Sequence, residues 1–260
     1  MKLNRTVMAV AVLAAAVIVG AAALIVTKRA ETQQTRACEV RDFEGSRFTV
    51  CAYDAQREEF RLISRGADGA YLRSFEAMNA MLGRDTRRLR FAMNAGMFND
   101  QGAPIGLYVE NGAEQHVLRL TNGPGNFHLK PNGVFWVSDD GALHISRSED
   151  YATLAPHPRY ATQSGPMLVI GGTLHPSFSA DGSSRYIRNG VGLRDDRTAY
   201  FVISSSAVSF GRFARFFRDE LHCRDALFLD GSVSSLYAPS MGRNDDNHEL
   251  GPMVVVLDRT

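Results

Sequence analysis

Two-residue turn signals set between short β-prone segments constrain this chain more than any other feature. Glu44 with Gly45, Asn111 with Gly112 and Asp140 with Gly141 each separate two such segments, and Asp195, Asp196 and Arg197 separate another two. Turns of this chemistry supply the backbone angles a tight hairpin needs, so the flanking strands should pair antiparallel. The first hairpin carries a further consequence. Counting outward from Glu44 and Gly45 pairs 43 with 46 and so on, until Cys38 meets Cys51 as a close, non-hydrogen-bonded pair. That spacing suits a disulfide and hence an oxidising compartment. Cys223 is left over and reads as a small buried apolar residue.

Further strands are expected at 59–63, 89–93, 105–110, 115–120, 134–137, 143–146, 167–170, 191–193 and 200–203, with 253–257 as a central one. Two helices stand out. Ser74 caps the first, whose Phe75, Met78, Met81 and Leu82 recur at helical spacing before Gly83; Ser209 caps the second, with Phe213, Phe216, Phe217 and Leu221 on one face. A short helix follows Ser148. Strict alternation of strand and helix is missing, and so is a Walker-type phosphate loop. The fold class is therefore α+β: a hairpin-rich mixed sheet or sheets with two main covering helices, preceded by an N-terminal transmembrane helix.

That preceding helix is segment 7–26, which lacks any charged residue and is long enough to cross a bilayer. Lys2 and Arg5 before it favour an uncleaved signal anchor with a cytoplasmic stub; the competing reading is a signal peptide cleaved near Ala21, Ala22 and Ala23, giving a secreted protein. Residues 1–36 are then stub, anchor and linker, and 37–260 are the working domain. On either reading that domain is periplasmic or extracellular. The formal net charge of +1 and the lack of a basic block argue against a nucleic-acid partner. Lys130 is the sole lysine after Lys28, so the domain's positive charge is almost wholly arginine, the side chain that forks onto phosphate or carboxylate.

The candidate site begins where the apolar run Ala226, Leu227, Phe228, Leu229 delivers Asp230 into Gly231 and Ser232. Such a run suits a strand covered on both faces, and an acid at its end stands at the mouth of a core. Three other segments end in glycine-bearing polar turns: Asn94 to Gly96, Gln163 to Gly165, and Arg188 to Gly190. Together they could let backbone approach a ligand closely while Asn, Ser and Arg present donors. Each also has a plain structural reading: a tight turn at Asp230, a sheet-edge salt bridge for Arg188, a backbone-bonded turn residue for Asn94. The seven histidines make no zinc motif, a serine-hydrolase elbow is absent, and no cofactor is predicted. Asp245 and Asp246 could supply oxygen ligands to calcium or magnesium, with a solvated acidic loop as the default.

In order along the chain stand MNAGMFND at 93–100, PIGLYVENG at 104–112, SGPMLV at 164–169, RNGVGL at 188–193 and LFLDGSVSSLY at 227–237. This succession resembles the phosphodiester glycosidase family, and more closely its bacterial branch of exported proteins, over residues 37–260. The resemblance implies a hydrolase that cleaves a sugar C1 to phosphate-oxygen bond in an envelope or extracellular glycan, with a glycan or sugar phosphate as partner. Arg188, then Arg185, would grip the phosphate. Asp230 would be the ionised carboxylate facing the anomeric carbon. Asn94 and Asn189 would bond sugar hydroxyls, and Ser164, Ser232, Gly96, Gly165 and Gly231 would complete the pocket. Two departures bear on specificity: the animal pattern has Asn, Gly, Gly, Phe, Phe at Asn94 to Phe98, and a longer glycine run at 230–232. A non-catalytic glycan-binding protein of envelope assembly is the alternative on the same pocket.

Overall fold

The computed structural model describes residues 37–260. Segment 7–26, expected to span or cross the membrane, lies outside the described residues; among those described, no helix is long and apolar enough to cross a bilayer. Three sheets carry the fold. The first has seven strands in the order Cys38–Phe43, Ser46–Asp54, Thr198–Ser204, Asn189–Leu193, Asp225–Phe228, Met167–Ile170, Thr173–Leu174. The second runs Arg243–Asn244, Leu236–Ala238, Leu89–Asn94, Met253–Asp258, Glu58–Ile63, and the third Ala113–His116, Tyr108–Glu110, Tyr160–Ser164, Gly133–Val137, Leu143–Arg147. Arg185–Tyr186 and Val208–Ser209 form a small separate ladder.

The α+β class holds, but the sheets are not mixed: every ladder among the described residues is antiparallel. The reason is visible in the second sheet. Helix Phe75–Leu82 joins Glu58–Ile63 to Leu89–Asn94, which run the same way, yet Met253–Asp258 is inserted between them and pairs antiparallel with both. The 253–257 run is central, as its unbroken apolar character requires.

One core is shared by all three sheets. Tyr53, Val191, Phe201 and Leu227 of the first meet Phe60, Phe91, Met93 and Val254 of the second and Tyr108, Phe135 and Tyr160 of the third. Each sheet's other face is covered by its own helix. Helix Phe210–Arg215, widening into a π-helical turn at Phe216–Glu220, lays Phe213, Phe216 and Phe217 on Phe48, Val202 and Phe228 of the first. Phe75 and Met78 cover Met253 and Val255 of the second, and Tyr151 of helix Ser148–Leu154 covers Val134 and Ala161 of the third. Ser74 Oγ accepts from Ala77 N, and Ser209 Oγ from Arg212 N, so both expected caps form. Met81, expected on the apolar face, is instead exposed.

The first hairpin has the register counted from its turn. Cys38 stands opposite Cys51, and the two form a disulfide. Cys223 is buried and free, its thiol pushed up to about 12 by burial. One pair of strands is shorter than the sequence suggests: 105–110 and 115–120 contract to Tyr108–Glu110 and Ala113–His116. Beyond them the buried Gln163 side chain replaces the ladder, its Oε1 accepting from both Leu107 N and Arg119 N and its Nε2 donating to Arg119 O.

Candidate active site

Asp225–Phe228 is buried on both faces. Ala226 and Phe228 turn to the phenylalanine-rich helix, while Leu227 and Leu229 turn to the central core. Its ladder with Asn189–Leu193 ends at Gly190 opposite Phe228, and Leu229 N donates to Asn189 O one step beyond. Continuing that register brings Asp230 across from Arg188. Two segments far apart in sequence thus deliver Asp230 and Arg188 to one sheet end.

Neither charge is neutralised by the other. Arg188 is 1% exposed and makes no ion pair among the described residues. Its Nε donates to Val208 O at 2.9 Å and its Nη2 to Ser184 O at 2.9 Å, while the guanidinium lies 3.5 Å over the Phe210 ring. Aromatic faces favour a cation but do not balance its charge. Burial lowers its pKa to about 10, which leaves it protonated at neutral pH. Asp230 is 8% exposed, and burial raises its pKa. Ser232 opposes that shift, its amide donating to Asp230 Oδ1 at 3.0 Å.

Asn94 and Asn189 are fully engaged with protein. Asn189 Nδ2 donates to Asn94 O at 3.0 Å and Asn94 Oδ1 at 2.9 Å; Asn189 Oδ1 accepts from Asp230 N at 3.2 Å and from Ser234 Oγ at 3.2 Å. Asn94 Nδ2 reaches Asp230 O at 3.1 Å, and Asn94 Oδ1 accepts from Ser235 N at 2.9 Å. The pair ties the first sheet, the second sheet and the 230–235 loop together. Ser164 belongs to the same knot, donating to Leu229 O at 2.7 Å. The Gly96 amide donates to Thr162 Oγ1, and a side chain at Gly96 would meet Gln163 O at 2.5 Å, so this glycine serves the contact between sheets. Gly165 is likewise pressed against Asn132 and Phe127, and Gly231 against the Phe228 ring. Ser232 is exposed at the mouth. Arg185 is exposed on the small ladder, near Asp181 at 3.9 Å.

The structure adds Ser234 and Ser235, which anchor the loop; Phe210, which bears the Arg188 guanidinium; and Val208 and Ser184, which bind it. The three serines at 232, 234 and 235 were the available signal for the first two. Nothing local in sequence marks the others, because they meet Arg188 only in three dimensions. Asp245 is taken by Arg243 and by Leu236 N. Asp246 lines a separate cleft of about 470 Å³ with Glu76, Tyr237 and His248. Among the described residues no three His, Cys, Asp or Glu side chains group as metal ligands.

Comparison with known proteins agrees with this fold. The phosphodiester glycosidase family model matches residues 87–256. Escherichia coli YigE, itself described as uncharacterised, is 35% identical over 191 residues, spanning 73% of this chain and 74% of its own. Among solved structures, the catalytic domain of zebrafish N-acetylglucosamine-1-phosphodiester alpha-N-acetylglucosaminidase, auto-inhibited by its pro-peptide, superposes with a TM-score of 0.58 at 13% identity, covering 86% of this chain and 82% of that one. A hypothetical protein from Synechocystis follows at a TM-score of 0.54 and 16% identity, over 85% of this chain and 61% of its own. At such identities the likeness to these structures is one of fold, whereas the family match spans most of the described chain. The chain belongs to the phosphodiester glycosidase family.

Proposed function

We propose that this protein is an exported hydrolase that cleaves the bond between a sugar C1 and a phosphate oxygen in a phosphodiester-linked glycan or glycoconjugate. One observation carries the reading: a buried arginine with no anionic partner among the described residues lies across the sheet register from a buried aspartate with no cationic one among them. Burying a lone guanidinium is unfavourable unless an anion meets it, and a phosphodiester is such an anion. The Cys38–Cys51 bridge supports work outside the cytoplasm.

In the reaction the C1–O bond breaks and its electron pair stays on the phosphate oxygen. Water adds to C1, giving the free sugar, and the other product is a phosphomonoester. Because the second pKa of a phosphomonoester is about 6, this leaving group needs less proton donation than a sugar alkoxide. Arg188 holds the phosphate and stabilises charge moving onto it. Asp230, ionised, faces the positive charge developing at C1 and the ring oxygen or orients the attacking water. Asn94 and Asn189 act through their grip on the Asp230 peptide, and Ser232 steadies the carboxylate.

The full chain, offered sugar 1-phosphodiesters, is expected to release reducing sugar. Asp230→Asn should abolish that release with the fold unchanged by circular dichroism. Full activity in the variant would remove Asp230 from the mechanism, and saturable binding without any turnover in the wild type would make the protein a glycan-binding module instead.

A further inference from the structure

Tyr186 and Ile187 are exposed, at 60% and 44%, and among the described residues they are the one pair of large exposed hydrophobics adjacent in sequence. Single exposed apolar side chains are ordinary, but two together at the rim of a polar site need a reason. They stand between Arg185 and Arg188, so the segment reads cation, apolar, apolar, cation. Its place is fixed on both sides. Arg185 and Tyr186 pair with Ser209 and Val208, and the Ile187 carbonyl accepts from Ser234 Oγ at 3.2 Å. The Tyr186 ring centre is 5.6 Å from Arg188 Cζ. Arg188 Nη1 makes no hydrogen bond among the described residues, so an anion held there would lie within reach of that ring.

In a sugar phosphodiester the phosphate separates the sugar from the aglycone. On the reading above, on which this step rests, the sugar lies toward Asp230 and the phosphate on Arg188, which leaves Tyr186 and Ile187 beside the departing aglycone. A polar glycan there would meet two uncovered apolar side chains; a hydrocarbon would cover them while the phosphate answers the flanking arginines. We infer that the aglycone is a hydrocarbon chain, so that the substrate class is a sugar 1-phosphate esterified to an alkyl or prenyl alcohol.

Methyl, butyl, pentyl and isopentyl diesters of one sugar 1-phosphate test this with the full chain; they are short enough to stay in solution, and the last carries the branch of a prenyl unit. Burial of each methylene is worth about fourfold, so kcat/KM should rise about tenfold or more from methyl to butyl, through KM. Isopentyl above pentyl, at equal carbon count, identifies a prenyl-type chain, and the reverse a straight one. In the double variant Tyr186→Ser, Ile187→Ser the butyl-to-methyl ratio should fall toward one, whereas Tyr186→Phe with Ile187→Leu should keep it. Equal kcat/KM for methyl and butyl, or a ratio untouched by the serine variant, overturns the inference and leaves the hydrolase reading standing. If no diester is hydrolysed, the hydrolase reading fails, and calorimetric Kd values for the same probes decide this one: tighter butyl binding that the serine variant abolishes supports it, and equal binding overturns it.

Discussion

One carboxamide, that of Asn189, serves three segments at once. It holds Asn94 in the second sheet, the Asp230 amide at the end of its neighbouring strand, and Ser234 in the loop beyond. Asn189→Ala would leave the buried Asp230 amide without an acceptor, and we expect a loss of about 1–3 kcal/mol, measured as a shift in urea midpoint at constant slope. Turnover should fall further than the stability change explains, through kcat, because the carboxylate loses its aim. Asp230 itself carries a second expectation. Its folded-state pKa is raised by burial, so the native state binds the proton more tightly than the unfolded chain, and stability falls as pH rises through the folded pKa. Asp230→Asn should therefore melt at a higher temperature than wild type at neutral pH, and the gain should vanish in acid below the usual aspartate range. A variant no more stable than wild type at neutral pH would contradict the burial argument. Ser232→Ala keeps the amide that donates to Asp230 Oδ1 but removes the hydroxyl, the smaller of the two Ser232 contributions that favour the ionised form, so the acid limb of kcat/KM should move modestly to higher pH.

The Ser209-capped helix shows why the first sheet is rich in glycine where it is. A side chain at Gly192 would come within 2.5 Å of Phe217 and 2.8 Å of Cys223 Sγ, so the π-helical turn packs directly on bare backbone. Gly192→Ala should cost about 1–3 kcal/mol by overpacking, seen as a lower thermal midpoint with unchanged far-ultraviolet circular dichroism. The elements themselves were legible. Caps at Ser74 and Ser209, the Asn111 and Gly112 hairpin turn and the two-sided burial of 226–229 follow from rules that act within a few residues. The contracted strands beside Gln163 were not. A glutamine 44 and 56 positions away replaces the missing ladder bonds, and no local pattern announces such a partner.

For the whole molecule, three antiparallel sheets enclose one core while separate helices cover their outer faces, and the edge hairpin of the first is closed by Cys38–Cys51. That bridge closes a loop of separation 13. Replacing both cysteines by alanine should cost about 3 kcal/mol on the chain-entropy account, read as a lower thermal midpoint that reducing agent reproduces in wild type. A reductant-insensitive midpoint would mean that the hairpin stands without its bridge. The zebrafish and Synechocystis domains share this arrangement of sheets at 13% and 16% identity, as expected when packing depends on pattern and volume more than on residue identity.

The hairpins and the Cys38–Cys51 register, the two capped helices, the buried strand ending in Asp230 and the family can all be read from the residues alone, because each depends on short-range periodicity, turn chemistry or ordered motifs. Only the closed core brings Met253–Asp258 between two like-directed strands, locks Asn94 and Asn189 to each other, and sets Arg188, with no counter-ion among the described residues, opposite Asp230. These are meetings of residues tens of positions apart. Their energies come from burial and pairing across sheets, which exist only once the core has closed.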